Sequence, residues 1–247
     1  MCLLPKLIAG CCLVATVPAL AAIYDDPENL RVLPADITSE ELRSTMKEFA
    51  LGLGVRCEHC HVGEGDDLTS FEFELDKKKP KRIARKMLEL TASINRNLAS
   101  IDVTGETQVS VSCVTCHRGL PAPLLIEDVL ARTLEEGGPH AAVTRYRALR
   151  QEYFGSHSYD FSELTLSMYA EGLTQAGATD SAIALLELNR EYYPASALIE
   201  FYLGRAYESD GNSERALEAY RTAIDKDPGL AEFLQPRIDN LETAGSR

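Results

Sequence analysis

The segment Met46-Lys47-Glu48-Phe49-Ala50-Leu51-Gly52-Leu53-Gly54-Val55-Arg56-Cys57-Glu58-His59-Cys60-His61 joins a helical pattern to a reactive one. Just upstream, Thr38-Ser39-Glu40-Glu41 forms a capping box, in which the Thr hydroxyl and the Glu41 carboxylate satisfy orphan N–H groups reciprocally. Leu42, Met46, Phe49, Ala50 and Leu53 then recur on one helical face, and Gly52 and Gly54 are expected to end the helix. The segment closes on Cys-x-x-Cys-His, and the same pattern returns at Cys113-Val114-Thr115-Cys116-His117. Two thiols three residues apart on one turn can each add to a vinyl group of the same haem, and the following His can give its imidazole to the iron. A zinc site with four thiolates would also use two Cys-x-x-Cys pairs, but it has no need of a His after each. A redox dithiol would need a βαβ setting that the pattern lacks. The spacing therefore predicts two covalently bound haem c groups, anchored by Cys57, Cys60, Cys113 and Cys116, with His61 and His117 on the irons.

A sixth ligand decides what such irons do: a strong one favours electron transfer, an open position favours binding small molecules. Met46 stands 11 residues before the first motif and Met87 stands 26 before the second. After a short Phe71-Glu72-Phe73-Glu74-Leu75 alternation, read as extended, Asp76 and Pro80 open a second helix with Ile83, Met87, Leu90, Ile94 and Leu98 on one face. Core packing is the rival role for either Met, but the placement of both ahead of a motif points to axial ligation. His59 is expected to face away from its own iron, and His140 and His157 are expected at the surface. Arg56 and Arg118 are candidate propionate partners, with plain solvation as the alternative.

These residues resemble haem units of the photosynthetic reaction-centre cytochrome c subunit family. One unit is carried by Met46 and the residues quoted through His61, the other by Ala84-Arg85-Lys86-Met87 with Ile94-Asn95, then Cys113, Cys116 and His117-Arg118-Gly119. The resemblance covers roughly residues 35–124. It implies His/Met ligation of both irons, Met46 with His61 and Met87 with His117. The family's best-known members carry four haems, whereas this chain has two motifs.

The chain has 247 residues and a net charge of −13, an acidity that disfavours non-specific nucleic-acid binding. Of its seven Cys, Cys2, Cys11 and Cys12 fall in a leader: Lys6, an apolar run over residues 7–23, and the small residues Ala19-Leu20-Ala21-Ala22. Export with cleavage after Ala21 or Ala22 is the first reading, giving a periplasmic or exported protein. Two alternatives would tether it to a membrane: a lipobox, Ile8-Ala9-Gly10-Cys11, with Cys11 lipidated, or an uncleaved leader. Lys77-Lys78-Lys79-Pro80-Lys81-Arg82 with Arg85 and Lys86 sets seven cations in ten positions. Crowded at a helix N-terminus, where the macrodipole disfavours cations, they suggest either a docking patch for an acidic redox partner or a solvated face.

From about residue 126 cysteine disappears and acidity concentrates: residues 125–247 carry 11 Lys+Arg and 21 Asp+Glu. A shift of 34 residues aligns Ala170 with Gly204, Leu173 with Tyr207, Ala182 with Ala216, Leu186 with Tyr220 and Pro194 with Pro228. Leu203-Gly204-Arg205-Ala206-Tyr207 with Ala216, Tyr220, Ala223 and Pro228 resembles the tetratricopeptide pattern, which implies a surface for protein partners. The expected organisation is a signal peptide or anchor at 1–22 and a dihaem cytochrome c domain at 23–125. A helical linker or half repeat follows at 126–162, then tetratricopeptide repeats with a capping helix at 163–247. The expected fold is mainly α. The expected function is single-electron transfer by a dihaem c-type cytochrome rather than catalysis. The alternative is a peroxidase-like or gas-binding haem protein with one labile axial ligand.

Overall fold

The structure is a computed structural model, and it describes residues 22–101 and 109–245. The expected leader, with Cys2, Cys11 and Cys12, lies outside the described residues. The fold is mainly helical, and among the described residues no helix is long and apolar enough to cross a membrane. The chain divides into two compact units, one running to Cys116 and the other starting at His117.

The first unit holds a short α1 (Ala22–Asp25), α2 (Ser39–Leu53) and α3 (Lys79–Leu98), and its last residues open α4 (Cys113–His117). The expected capping box starts α2: the Thr38 side chain accepts from the Glu41 N–H, and the Glu41 carboxylate accepts from the Thr38 N–H at 2.9 Å. Gly54 ends α2 in the left-handed region (φ 65°), a conformation that favours glycine. Gly52, expected to share in ending the helix, is instead inside it and buried. A 3-10 turn, Cys57–His59, follows within a few residues. The Phe71–Leu75 alternation supplies one isolated antiparallel bridge, Val62 to Glu72. Pro80 sits in the first turn of α3 as expected, where its missing N–H costs nothing. Asp76 does not cap that helix. Its carboxylate pairs with Lys81 at 3.0 Å in the first turn of α3 and accepts from Arg85 at 2.6 Å in the second.

The second unit contains α5 (Ile126–Tyr153), α6 (Glu163–Gln175), α7 (Thr179–Tyr192), α8 (Ala197–Ser209), α9 (Ser213–Lys226) and α10 (Ala231–Gly245). The first of these is two helices meeting at Gly138 (φ 71°, ψ −169°), next to Pro139. Both ends of α6 and α7 recur in α8 and α9 displaced by 34 residues. The hairpin turns match too, with Gly177 at φ 79° and Gly211 at φ 77°. Small residues set the helix spacing: a Cβ on Gly204 would lie 2.4 Å from the Tyr220 ring. The core runs unbroken through Leu130, Tyr146, Leu166, Ala182, Leu185, Leu186, Leu203, Ala216, Tyr220 and Leu234, all at 1% exposure or less. Buried polar groups in this unit are partnered in most cases. Asn189 Nδ2 donates to the Glu163 carbonyl at 2.8 Å, and Glu200 accepts from Lys226 Nζ at 2.6 Å.

Candidate haem-binding site

The first motif is delivered by the end of α2. Once Gly54 has stopped the helix, the 3-10 turn coils Cys57 to Cys60, and the His61 N–H donates to the Cys57 carbonyl at 2.9 Å. Both thiols are half-buried and unpaired, and burial pushes the Cys60 thiol up. His61 is walled by Phe73, edge-on at 4.9 Å, with Phe71 stacked behind Phe73 at 5.5 Å. Gly63 makes room for that wall, since a Cβ there would sit 2.4 Å from the Phe71 ring.

Burial first, then the nearby Lys81 charge, push the His61 imidazole down to about 4, against hydrogen bonding to the Phe73 backbone. The ring therefore stays neutral at physiological pH. Its Nδ1 is buried with no hydrogen-bond partner. A neutral imidazole carries a lone pair on one of its two ring nitrogens, which is what ligation to a metal requires.

The second motif forms α4. Cys113 is half-buried, Cys116 is exposed, and neither is in a disulfide. Burial raises the Cys113 thiol. His117 Nδ1 donates to the Leu120 carbonyl at 2.7 Å. That bond fixes the ring and its tautomer and leaves Nε2 as the nitrogen with a lone pair. The approach to α4 is clamped to α3: Asn95 Oδ1 accepts from the Val111 N–H at 2.7 Å, and Asn95 Nδ2 donates to the Val111 carbonyl at 2.9 Å.

Met46 is half-buried on α2, and Met87 is 39% exposed on α3. Met87 lies in a stripe with Ile83, Leu90 and Ile94, all 37–51% exposed, and no residue of α3 is buried. These residues fit haem c. Two pairs of thiols outside any disulfide each precede an imidazole, and an apolar helix face that includes Met87 is part-exposed. They do not fit zinc: among the described residues no three His, Cys, Asp or Glu side chains converge.

The remaining site residues fall as follows. His59 is half-buried in the 3-10 turn, and His140 and His157 are exposed. Arg56 pairs with Asp66 and with Glu58, the latter at 3.7 Å. Arg118 lines a small cavity with Tyr159, Asp160 and Thr165. The cationic run is less open than its sequence suggests. Lys81 is 12% exposed and donates to the Phe73 and Leu75 carbonyls, and Arg85 is 18% exposed against Asp76. Lys78 donates to the Glu58 carbonyl, and Arg82 to the Asp76 and Lys77 carbonyls. Lys77, Lys79 and Lys86 are exposed. Sequence reasoning missed the roles of Asp76, Asn95 and Phe73. The Phe71-x-Phe73 alternation was the only local signal for any of them.

A family model described as the photosynthetic reaction centre cytochrome C subunit matches residues 15–172. The photosynthetic reaction center cytochrome c subunit of Roseobacter denitrificans is 36% identical over 98 residues, which is 39% of this chain and 25% of that protein. The chain thus spans about a quarter of the length of that curated relative. No solved structure matches the chain.

Proposed function

We propose that this chain, which belongs to the photosynthetic reaction-centre cytochrome c subunit family, is an exported dihaem cytochrome that passes single electrons between protein partners. The observation that carries the reading is the pairing of two Cys-x-x-Cys-His motifs with part-buried imidazoles, that of His61 held neutral by burial and that of His117 fixed through Nδ1 on the Leu120 carbonyl with Nε2 free to ligate. Cys57 and Cys60 would anchor one haem and Cys113 and Cys116 the other. His61 with Met46 would ligate one iron, and His117 with Met87 the other. Bound there, haem iron supplies a one-electron couple, and a Met ligand raises its potential relative to a second His.

The protein's share is positional. Asn95 holds the approach to the second motif, Phe73 and Phe71 wall His61 from water, and Leu120 orients His117. Ligating residues held in place in this way would keep reorganisation between oxidation states small, and this scheme needs no catalytic acid, base or nucleophile.

In the second unit, the 34-residue displacement of both helix pairs and the Gly204–Tyr220 approach support a tetratricopeptide domain that engages a protein partner. A redox partner with an acidic face would meet Lys77, Lys79, Arg82 and Lys86, since Lys78, Lys81 and Arg85 are part-buried. The domain reading remains residues 23–125 for the cytochrome and 163–247 for the repeats, with a leader or lipid anchor before them.

Mass spectrometry of the mature chain together with visible spectra, with and without carbon monoxide, tests the reading. The expected result is two haems, a Met–iron charge-transfer band that weakens in Met46→Ala and again in Met87→Ala, and no carbon monoxide adduct. Fewer than two haems would overturn it. Because Met87 is 39% exposed, an adduct confined to the second haem would instead favour the gas-binding or peroxidase-like alternative.

A further inference from the structure

Gly52 has no conformational reason to be glycine. It lies inside α2 with φ outside the left-handed region, where glycine is unfavourable relative to Ala. The reason is a close approach: a Cβ at this position would lie 3.2 Å from Cys113 Cβ and 3.2 Å from the Val114 backbone nitrogen. Glu48 sits one turn earlier on the same face, near enough for its charge to bear on the Cys113 sulfur. At 3.6 residues per turn, Glu48 and Gly52 lie about 200° and about 240° around the helix from Met46. The two sides of α2 therefore look in different directions, one carrying Met46 and the other meeting the first anchor of the second motif.

We propose that α2 is shared by both haem units: its Met46 side completes the first, and its Glu48–Gly52 side is the seat that fixes Cys113, and with it the second haem. The proposal rests on the haem reading above. Gly52 is then a positioning residue that acts through Cys113. Glu48 is a charge that tunes the second iron, because a nearby carboxylate favours the more positive ferric state and lowers the potential. A family-like motif alone does not supply this coupling. It comes from a contact between residues 61 positions apart in the chain.

The test is a spectroscopically monitored redox titration of the full-length holoprotein, with the second haem marked by a parallel Met87→His variant. Gly52→Ala and Gly52→Val should shift the second midpoint progressively and leave the first in place. Glu48→Gln, which adds no bulk, should raise the second midpoint alone. Leu51→Ala, at a position 77% exposed on the same helix, should move neither. Haem content by mass is measured on every variant. A second midpoint unmoved by both Gly52→Val and Glu48→Gln at full haem content overturns the proposal, as does an equal shift of both haems in Gly52→Val. If Gly52→Val does not fold, Gly52→Ala and Glu48→Gln decide by the same criteria. A wild-type chain carrying fewer than two haems overturns the haem reading itself, an outcome that mass distinguishes from misplacement.

Discussion

Two amphipathic helices, one in each unit, are treated in opposite ways. In the second unit α9 buries Ala216, Ala219, Tyr220 and Ala223, each at 6% exposure or less, against neighbouring helices. In the first unit α3 is longer and has an equally clear stripe, yet none of its residues is buried. Up to Cys116, the buried hydrophobic side chains among the described residues are Leu42 and Phe71. A surface helix normally lays its stripe on a core of side chains. The second unit is thus stabilised by its own polypeptide, whereas the first is built around surfaces that suit a large apolar cofactor. The difference turns cofactor attachment into a folding question for one unit only.

The largest effect should come from removing the anchors. With Cys57, Cys60, Cys113 and Cys116 all changed to Ala, the first unit should lose protection in limited proteolysis while the second stays resistant, with a matching partial loss of helical circular dichroism. A first unit that stays as protected as in the wild type would break the comparison. The converse substitution is Leu186→Ala, at a fully buried position. It should cost about 2–5 kcal/mol of unfolding free energy in the second unit, read by denaturant titration, with the haem spectrum unchanged. Loss of the haem spectrum at the same denaturant concentration would show that the two units unfold as one.

The same contrast governs what could be read from residue order. The second unit was legible because its information is local: helix periodicity, small residues at a fixed offset and glycine at each hairpin turn recur every 34 residues. The two Cys-x-x-Cys-His motifs were legible because the chemistry proposed for them demands a fixed spacing. What escaped was long-range. Asp76 looked like a helix opener, but it gathers Arg85, Lys81 and, from 47 residues upstream, Asn29. Gly52 looked like a helix end, but its backbone is pressed against Cys113. The cationic run looked like an open patch because nothing local shows Lys78 and Lys81 reaching backbone carbonyls 6 to 20 residues earlier. Neither periodicity nor composition encodes such partners.

Asn95 offers a smaller, local test of how the second motif is held. Its side-chain amide makes both hydrogen bonds to the Val111 backbone. Asn95→Ala removes both and leaves the Val111 N–H and carbonyl dependent on water. The expected cost is about 1–3 kcal/mol, concentrated in the first unit, with faster hydrogen exchange at the Val111 amide. Unchanged exchange there would mean that the segment is held by other contacts, and that Asn95 contributes nothing to placing the motif.

The smallest effect expected is electrostatic and depends on pH. The Asp76 carboxyl is held well below the usual carboxylate range, chiefly by its hydrogen bond from Arg85 and then by that from Lys81, with Asn29 adding a third at 3.1 Å. Arg31, 3.6 Å away and 66% exposed, adds little because water screens it. An acid whose pKa is depressed on folding stabilises the folded state fully above its unfolded value, about 3.9 for Asp. That contribution is lost as pH falls through this value towards the lower folded one. The stability gap between wild type and Asp76→Asn should therefore be constant near neutrality and close progressively below about pH 4. The closure should be confined to probes in the first unit. A gap that persists unchanged into acid would mean that Asp76 acts through its hydrogen bonds rather than its charge, since Asn turns one of the two acceptor oxygens into an N–H donor facing the same donors.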